Sequence, residues 1–372
     1  MINYIDRHSN SQKSFKKIFA FIVKKGKTTR REIQKFTNYS WSSVSSVVSV
    51  LINQGYVYEA ESINYGVGRN TTYLIPNGNV YVSIGIDINS IGFTSTIIGV
   101  DGTTINVKTY PYTQKTKQYV MDTIFKAIDD CLEFVEGKYK LVSIGISCQG
   151  ETENHSTFKR FSFCDEFYDV NLKEILEDKY DIHTYIEHDT NCLLEDYIYN
   201  YSTHPEESVC VARVVSGIGF AISVHGQPVE KYGPIDFGHM IVQPINGPKC
   251  MCGQYGCLEA YASTTGIVNR AGVEDFSIID ANREQYRDIL DDAAFYLGVT
   301  LANLKQIFDL KKLVITGNVV GEDTIFLEKV NRASESVTSR IAKVSFIKDL
   351  NAAYGAARLS LKNKVDLKGE IE

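Results

Sequence analysis

The segment that decides the fold reads GHM over residues 238–240 and CMCGQYGCLEAYAS over residues 250–263. It contains Cys250, Cys252 and Cys257, three of the 8 cysteines in the chain. In a cytosolic protein such uneven spacing favours a metal site over a disulfide framework. With His239, the three cysteines provide three thiolates and one imidazole, which is the ligand set of a closed tetrahedral zinc site. The alternative is a chance cluster of reduced cysteines.

The length and composition of the chain are those of an ordinary globular protein. At 372 residues it is long enough for two or three domains, and hydrophobic residues make up 44% of it. These values exclude wholesale disorder and collagen-like structure. The sequence has no run of about 18 apolar residues, and its N-terminus lacks the core of a signal peptide. We therefore expect a cytoplasmic protein that has no membrane partner.

Charge is unevenly distributed along the chain. Residues 1–75, which we call the head, contain 11 Lys and Arg against 4 Asp and Glu, whereas the remaining residues contain 28 against 41. A basic head on an acidic body favours contact of the head with a polyanion. The alternative is a small domain with a solvated basic face.

The order of elements predicted in the head is that of a winged helix-turn-helix. Hydrophobic spacing predicts helices near residues 15–22, 30–36 and 41–51, and then a two-stranded ribbon over residues 56–74. Trp41 is expected in the apolar stripe of the third helix, with Val44, Val47, Val48 and Leu51. In this motif the third helix enters the major groove of duplex DNA, and the ribbon contacts the backbone or the minor groove. The candidate DNA contacts are the serines of the third helix and the arginine at the ribbon tip: Ser42, Ser43, Ser45, Ser46 and Arg69. Winged helices also mediate contacts between proteins, which is the alternative.

The rest of the chain has the pattern of an α/β protein. Strand-like segments, such as residues 81–87, 141–147 and 209–215, end in turns that contain acidic residues or glycine. Apolar helical stretches lie between these strands. The recurrence of strand, turn and polar residue in two halves indicates two similar lobes with a cleft.

On these motifs the chain resembles the ROK family, which comprises repressors, open reading frames and sugar kinases. The likeness extends over about residues 80–360, and the segment quoted first corresponds to the family's GHM and CxCGxxGCLEAYAS motifs. The resemblance implies a two-lobed, actin/hexokinase-like α/β body behind an N-terminal winged helix-turn-helix. It implies domains at residues 1–76, 80–198 and 199–349, with a C-terminal helix at about 350–364 completing the first lobe. It also implies that zinc is bound by His239, Cys250, Cys252 and Cys257.

The resemblance indicates where ATP would bind, and the sequence departs from the family there. Family kinases bind phosphates with glycine-rich turns, because glycine lets backbone N–H groups approach the oxygens closely. The family's DIGGT turn is DINSI over residues 87–91, its GTGIGGG turn is VSGIGFA over residues 215–221, and its GGG turn is TGN over residues 316–318. We therefore expect a protein that is not an enzyme, in which Asp189 would be catalytic only if the protein were a kinase.

The sugar pocket of the family is retained in part. The EHDTN segment around Asp189 resembles the family's ENDAN segment, so Asp189 takes the catalytic position and His188 replaces a sugar-binding Asn. Asp236 replaces a sugar-binding Glu, whereas His239 and Glu259 are kept. The resemblance thus implies an effector site at His188, Asp189, Asp236, His239 and Glu259. Three alternatives remain open: a changed sugar or sugar derivative, a pocket that no longer binds sugar, and an unaltered hexose site.

These features predict a regulator of transcription, and more specifically a repressor, that controls carbohydrate metabolism. A sugar or sugar derivative would bind the kinase-like cleft without being phosphorylated, and the short link at residues 77–79 would transmit lobe rotation to the head. The family resemblance implies a homodimer or a dimer of dimers on a roughly palindromic duplex operator. The alternatives are an ATP-dependent sugar kinase and a ligand-independent architectural protein.

Overall fold

The computed structural model describes residues 9–62, 71–89, 92–161, 163–202, 207–229, 236–321, 323–338 and 343–364. Contacts between residues divide the chain into two compact units. The first unit comprises Met1–Cys192 and Ala352–Glu372, and the second comprises Leu193–Asn351. The domain limits expected at residues 76, 198 and 349 stay predictions. Within the described ranges, every helix is too short or too polar to span a lipid bilayer.

The head opens the first unit with three helices and an antiparallel ribbon. The helices are α1 (Ser9–Lys25), α2 (Arg30–Thr37) and α3 (Trp41–Asn53), and the strands are β1 (Val57–Ser62) and β2 (Thr71–Pro76). The two strands pair antiparallel along their whole length. This order of elements confirms the predicted winged helix-turn-helix.

Short polar side chains set where the helices of the head begin. The Thr29 hydroxyl accepts from the Glu32 amide at 3.2 Å, and the Glu32 carboxylate accepts from the Thr29 amide at 2.8 Å, which together cap α2. Ser40 caps α3 by accepting from the Ser43 amide at 3.1 Å. Trp41 is the first residue of α3 and is 51% exposed, so its assignment to the apolar stripe that packs into the core is wrong. A helical side chain covers the turn before its own Cα, and α3 has no turn before Trp41.

A mixed five-stranded sheet forms the centre of the first unit. From edge to edge its strands are β10 (Thr184–His188), β6 (Lys140–Cys148), β3 (Tyr81–Ile88), β4 (Gly92–Gly99) and β5 (Thr104–Pro111). The strands β3, β4 and β5 are antiparallel neighbours, whereas β6 runs parallel to both β3 and β10. The carboxyl ends of β3, β6 and β10 therefore meet at one edge of the sheet.

Helices and a smaller sheet complete the first unit. They are α4 (Lys117–Val135), α5 (Leu172–Tyr180), α12 (Ala352–Lys364) and the three strands β7 (Gly150–Glu153), β8 (Thr157–Phe161) and β9 (Tyr168–Val170). The helix α12 packs on β3 and β6. At Gly85 and Gly145 a Cβ atom would lie 1.8 Å and 2.0 Å from a carbonyl oxygen of α12, so this close approach requires glycine.

The head and the central sheet share one hydrophobic core within the first unit. Phe19 and Leu74 of the head belong to the same buried cluster as Tyr81, Val100 and Leu361 of the body. The head is therefore attached to the sheet by side-chain packing as well as by the peptide chain.

The second unit is built on another five-stranded sheet. From edge to edge its strands are β13 (Gln227–Pro228), β12 (Ile218–Val224), β11 (Val209–Val214), β14 (Lys312–Thr316) and β15 (Val344–Phe346). The helix α6 (Asp189–Asn200) begins in the first unit and continues into the second. The other helices of the second unit are α7 (Leu258–Ala262), α8 (Thr264–Ala271), α9 (Phe276–Ala281), α10 (Arg287–Phe308) and α11 (Thr324–Val337). The two sheets with their helices confirm the predicted α/β body.

Candidate functional site

The predicted metal ligands converge in the second unit. His239 ends a short 3-10 turn, and Cys250, Cys252 and Cys257 lie on the loop that leads from this turn to α7. One ligand atom of each residue lies within 4.8 Å of every other. The Sγ atoms of Cys252 and Cys257 are 3.7 Å apart. A tetrahedron with Zn–S bonds of roughly 2.3 Å has edges of about 3.8 Å, so these residues can hold a metal ion.

Main-chain hydrogen bonds shape the loop that carries the three cysteines. The Cys250 amide donates to the Gln254 carbonyl at 2.8 Å, and the Gly253 amide donates to the Cys250 carbonyl at 3.0 Å. Gly256 has a φ of +77°, and a Cβ atom on it would lie 1.8 Å from the Gln243 carbonyl oxygen. Glycine is therefore required at this position for the loop to close.

His239 faces the cysteines with one ring nitrogen and two carboxylates with the other. Its Nδ1 is 3.5 Å from the Cys250 Sγ, whereas its Nε2 is 4.0 Å from both Asp236 Oδ2 and Glu259 Oε1. Glu259 Oε2 accepts a hydrogen bond from the Ile218 amide at 3.0 Å. Burial raises the pKa of Glu259, against the opposite effect of that hydrogen bond. The structure thus brings together Asp236, His239 and Glu259, whose polar atoms are of the kind that bind polyol hydroxyls.

The other two predicted effector residues meet where β10 ends and α6 begins. His188 Nδ1 lies 2.7 Å from the Thr190 hydroxyl and 3.1 Å from Asp189 Oδ1. Asp189 is in the first turn of α6, where the helix dipole favours a negative charge, and it is 2% exposed. The His188 side chain is 36% exposed. The imidazole is therefore the more accessible of the two groups.

A further histidine, His155, lies beside these residues and was not predicted as a site residue. It occupies the turn between β7 and β8, and its Nδ1 is 3.2 Å from Glu187 Oε2. Glu187 directly precedes His188. The only sign of this pair in the sequence is a turn made of the polar residues Asn154 and His155, and nothing there indicates which strand the turn contacts.

Two side chains hold Asp87, the first residue of the DINSI segment that the sequence comparison aligns with a phosphate-binding turn. The Ser147 hydroxyl donates to Asp87 Oδ1 at 2.6 Å, and the Asn89 side-chain amide donates to Asp87 Oδ2 at 2.8 Å. Asn89 also closes the turn, because its Oδ1 accepts from the Gly92 amide at 3.3 Å. Both oxygens of the Asp87 carboxylate are thus engaged by this chain. Ser90 lies outside the described residues.

The aromatic residue in the second altered turn is part of the core. Phe220 is 4% exposed, and its ring packs edge-to-face on that of Phe237 at a centroid separation of 6.0 Å. Glycine at this position would leave that volume open. The ring of Phe220, which stands where the family motif has glycine, therefore fills space beside the turn at Gly217 to Gly219.

The predicted DNA contacts lie on α3 as far as the structure describes them. Ser42, Ser43 and Ser46 are exposed, and Ser45 is partly buried. The Ser40 hydroxyl lies 2.9 Å and 2.8 Å from the hydroxyls of Ser42 and Ser43, so these two serines also belong to the helix cap. Of the predicted contacts, Ser45 and Ser46 are therefore the two that lie beyond this cap.

The head also has exposed basic side chains outside α3. Exposed cations in its described part include Lys25, Lys27, Arg31 and Lys35. Arg30 of α2 instead pairs with Glu59 of β1 at 2.5 Å, which ties the second helix to the ribbon. Arg69, predicted to contact the minor groove, lies outside the described residues.

Comparison with known proteins identifies relatives over most of the chain. A sequence profile of the ROK family matches residues 83–362. The xylose repressor of Bacillus subtilis (strain 168) is 23% identical over 343 residues, which cover 86% of this chain and 85% of that repressor. The DNA-binding transcriptional dual regulator NagC of Escherichia coli (strain K12) is 22% identical over 369 residues, which cover 92% of this chain and 90% of NagC.

Solved structures have the same fold. A ROK family transcriptional regulator, a homolog of the E. coli MLC protein, superposes with a TM-score of 0.77 at 17% identity, over 97% of each chain. The ROK hexokinase from Thermus thermophilus superposes with a TM-score of 0.64 at 21% identity, over 76% of this chain and 97% of the hexokinase. The hexokinase-like body predicted from the sequence is thus confirmed.

Proposed function

This chain belongs to the ROK family, and we propose that it is a DNA-binding transcriptional repressor that responds to a sugar or sugar derivative. The observation that carries the proposal is the winged helix-turn-helix, which lies ahead of the ROK region and shares a core with its first sheet. The superposition on the regulator covers 97% of the chain, against 76% for the hexokinase. The likeness to the xylose repressor and to NagC supports the control of carbohydrate metabolism.

The geometry around Asp87 supports a protein that does not phosphorylate its ligand. Phosphoryl transfer depends on Mg²⁺ and on donors that receive the phosphate oxygens as charge develops on them. In this chain the Asp87 oxygens accept from Ser147 and Asn89, and the Phe220 ring fills space beside the second turn. The retained Asp189 favours the second candidate, an ATP-dependent sugar kinase, in which it would accept the proton of a sugar hydroxyl.

The effector is proposed to bind through two groups of side chains. One consists of His188 and Asp189, and the other of Asp236, His239 and Glu259. Carboxylates accept hydrogen bonds from hydroxyls, and a neutral imidazole can donate or accept one. Because His188 and Asp236 differ from the residues that family kinases use, a changed sugar or a sugar derivative fits this set better than an unaltered hexose.

The metal is proposed to be zinc, held by His239, Cys250, Cys252 and Cys257. Three thiolates and one imidazole leave no open position, so the ion would fold the loop and take no part in chemistry. Binding through Nδ1 would leave the His239 Nε2 directed at Asp236 and Glu259. The ion would therefore set the orientation of one effector-binding imidazole.

Regulation is proposed to follow from linkage between effector and DNA. An effector that binds one conformation more tightly shifts the population and so changes the affinity for the operator. The active species is proposed to be a cytoplasmic homodimer or dimer of dimers that places two heads on a roughly palindromic operator.

Selection from a random duplex library with the full-length protein tests the proposal. We expect an enriched palindromic site whose affinity falls steeply with salt, because phosphate contacts release counterions. Arg69→Ala should weaken binding to the enriched duplex, whereas Arg332→Ala, which removes an exposed cation of the second unit, should not. D-xylose or N-acetylglucosamine should change the affinity. Transfer of phosphate from ATP to a sugar, or failure to enrich any duplex, would contradict the proposal.

A further inference from the structure

The turn between β7 and β8 is fastened to the end of β10 through His155. Its ring stacks on that of Tyr185 at a centroid separation of 4.6 Å with 19° between the planes. Its carbonyl oxygen accepts from the Ile186 amide at 3.1 Å, and its Nδ1 lies 3.2 Å from Glu187 Oε2. Both Asn154 and His155 have a φ of +54°, a left-handed conformation that residues other than glycine adopt at a cost. The three contacts of His155 compensate for this cost.

The Glu187 carboxylate connects this turn to the predicted effector residues. It is buried, and its Oε2 also accepts from the Tyr185 hydroxyl at 3.3 Å. Its Oε1 accepts from the His188 amide at 2.8 Å and from the Asn191 side-chain amide at 3.1 Å. His188 and Asn191 lie on either side of Asp189 in the chain. One carboxylate therefore holds the backbone at which β10 passes into α6.

A buried carboxylate that is ionised needs a compensating charge. The charged side chains that act on His155 are Glu187 of β10 and Lys173 of α5, and Tyr185 of β10 covers one face of its ring. Among the residues that the structure describes, only a protonated His155 brings a positive charge to Glu187 at hydrogen-bonding distance. The His155 side chain is 53% exposed, so solvent protons reach it.

We propose that His155 is a positioning residue of the effector site: as an imidazolium it holds Glu187, and Glu187 in turn fixes the start of α6 with His188 and Asp189. This inference rests on the proposed function in so far as these two residues bind the effector. Effector affinity then falls when His155 loses its proton, because the start of α6 loses its anchor.

The direction of the pH dependence follows from the two partners. The hydrogen bond to Glu187 raises the pKa of His155 above its ordinary 6.5, although burial and Lys173 act against it. Burial acts to raise the pKa of Glu187, but the hydrogen bonds from His155, Asn191 and the His188 amide bring it below its ordinary 4.5. The pair therefore contributes fully between pH 4.5 and 6.5. Its contribution is lost as the pH rises through the raised pKa of His155, or falls through the lowered pKa of Glu187.

Amide hydrogen exchange of the full-length protein, from about pH 5.5 to about pH 8.5, tests the inference. After correction for intrinsic exchange, the amides of residues 186–192 should lose protection severalfold over this range in the wild-type protein. His155→Gln should remove this pH-dependent step, and His155→Lys, which carries a lasting charge, should keep protection at high pH. His225→Gln is the matched control, because His225 also lies in a hairpin turn with positive φ and is exposed.

An equal pH-dependent step in the wild-type protein and in His155→Gln would overturn the inference. Titration of D-xylose and N-acetylglucosamine over the same pH range supplies the second measurement. A sugar that binds should lose affinity severalfold towards high pH in the wild-type protein and show no such loss in His155→Gln. If neither sugar binds while the exchange step is present and depends on His155, the proposed effector class fails and the link from His155 to the start of α6 stands.

Discussion

The rings of Tyr56 and Tyr81 stack at a centroid separation of 5.2 Å with 14° between their planes, and this contact joins the head to the central sheet. Phe19 of α1 meets the two rings edge-on at 5.5 Å and 6.4 Å. The link between them is held as well, because the Asn77 side-chain amide donates to the Gly55 carbonyl at 2.9 Å. We therefore expect a displacement of β3 to move the head with it.

Truncation of this aromatic contact should separate DNA binding from its control. Tyr81 is 3% exposed, and removal of a buried aromatic side chain typically costs about 3–5 kcal/mol. We expect Tyr81→Ala to lower the free energy of unfolding by about this amount and to reduce the effect of sugar on operator affinity. Urea unfolding followed by circular dichroism and fluorescence anisotropy with labelled operator measure the two effects.

Tyr168→Ala serves as the control for Tyr81→Ala, because Tyr168 is 66% exposed in the same unit. It should change neither the free energy of unfolding nor the effect of sugar on operator affinity. Tyr81→Phe should retain the packing of the ring. If Tyr81→Ala is folded and sugar changes its operator affinity as much as in the wild-type protein, the proposed coupling between the Tyr56–Tyr81 contact and DNA binding is refuted.

The protein should contain one zinc ion per chain, bound by the cluster around Cys250. Removal of zinc with a chelator should lower the melting temperature, because the ion would hold the loop in addition to its few main-chain bonds. Cys252→Ala should lose the ion, whereas Cys131→Ala, which changes a buried cysteine on α4, should keep it. Elemental analysis measures the zinc content, and thermal melts measure the melting temperature. Full metal content in Cys252→Ala would contradict the predicted site.

The turn closed by Asn89 should depend on its hydrogen bond to Asp87. Loss of a hydrogen bond to a charged group costs about 1.5–3 kcal/mol, and we expect Asn89→Ala to lower the free energy of unfolding by about this much. Asn79→Ala, at an exposed position of the same unit, should have almost no effect on the free energy of unfolding.

Isothermal titration should detect no ATP binding to the wild-type protein. Millimolar or tighter ATP binding would instead favour the sugar kinase.

The stability of α3 should depend on its cap at Ser40. Ser40→Ala removes the acceptor for the Ser43 amide and should cost about 1 kcal/mol of stability, with weaker operator binding. Ser40→Asp should restore stability, because aspartate is also a good cap and its charge suits a helix N-terminus. Ser49→Ala, whose hydroxyl donates to the Ser45 carbonyl within α3, is the control. Equal melting temperatures for all three variants would contradict this role of Ser40.

Sequence reasoning succeeded where the signal is local. The helices and ribbon of the head follow from hydrophobic spacing, and residues such as Thr29 and Ser40 mark helix starts through bonds to amides three residues away. The failure at Trp41 has a geometric reason, since hydrophobic spacing does not record that the first residue of a helix has no preceding turn to cover.

The same division applies to the candidate site. The clustering of His239 with Cys250, Cys252 and Cys257 could be predicted, because cysteine spacing and a nearby histidine indicate that chemistry in one short stretch. That Asp189 is almost wholly buried while His188 is accessible could not be predicted, because burial depends on what packs over the start of α6. The hydrogen bond from Asn89 to Asp87 likewise depends on how the β3–β4 turn closes.

The order of amino acids was sufficient to predict the fold class, the winged head and the cluster of one histidine and three cysteines. These properties rest on periodicity and on residue type, which act over a few neighbouring residues. The stack of Tyr56 on Tyr81 and the pair of His155 with Glu187 emerged only from the folded chain. Each joins segments whose approach is set by the packing of whole sheets and turns, and no short stretch of sequence encodes that packing.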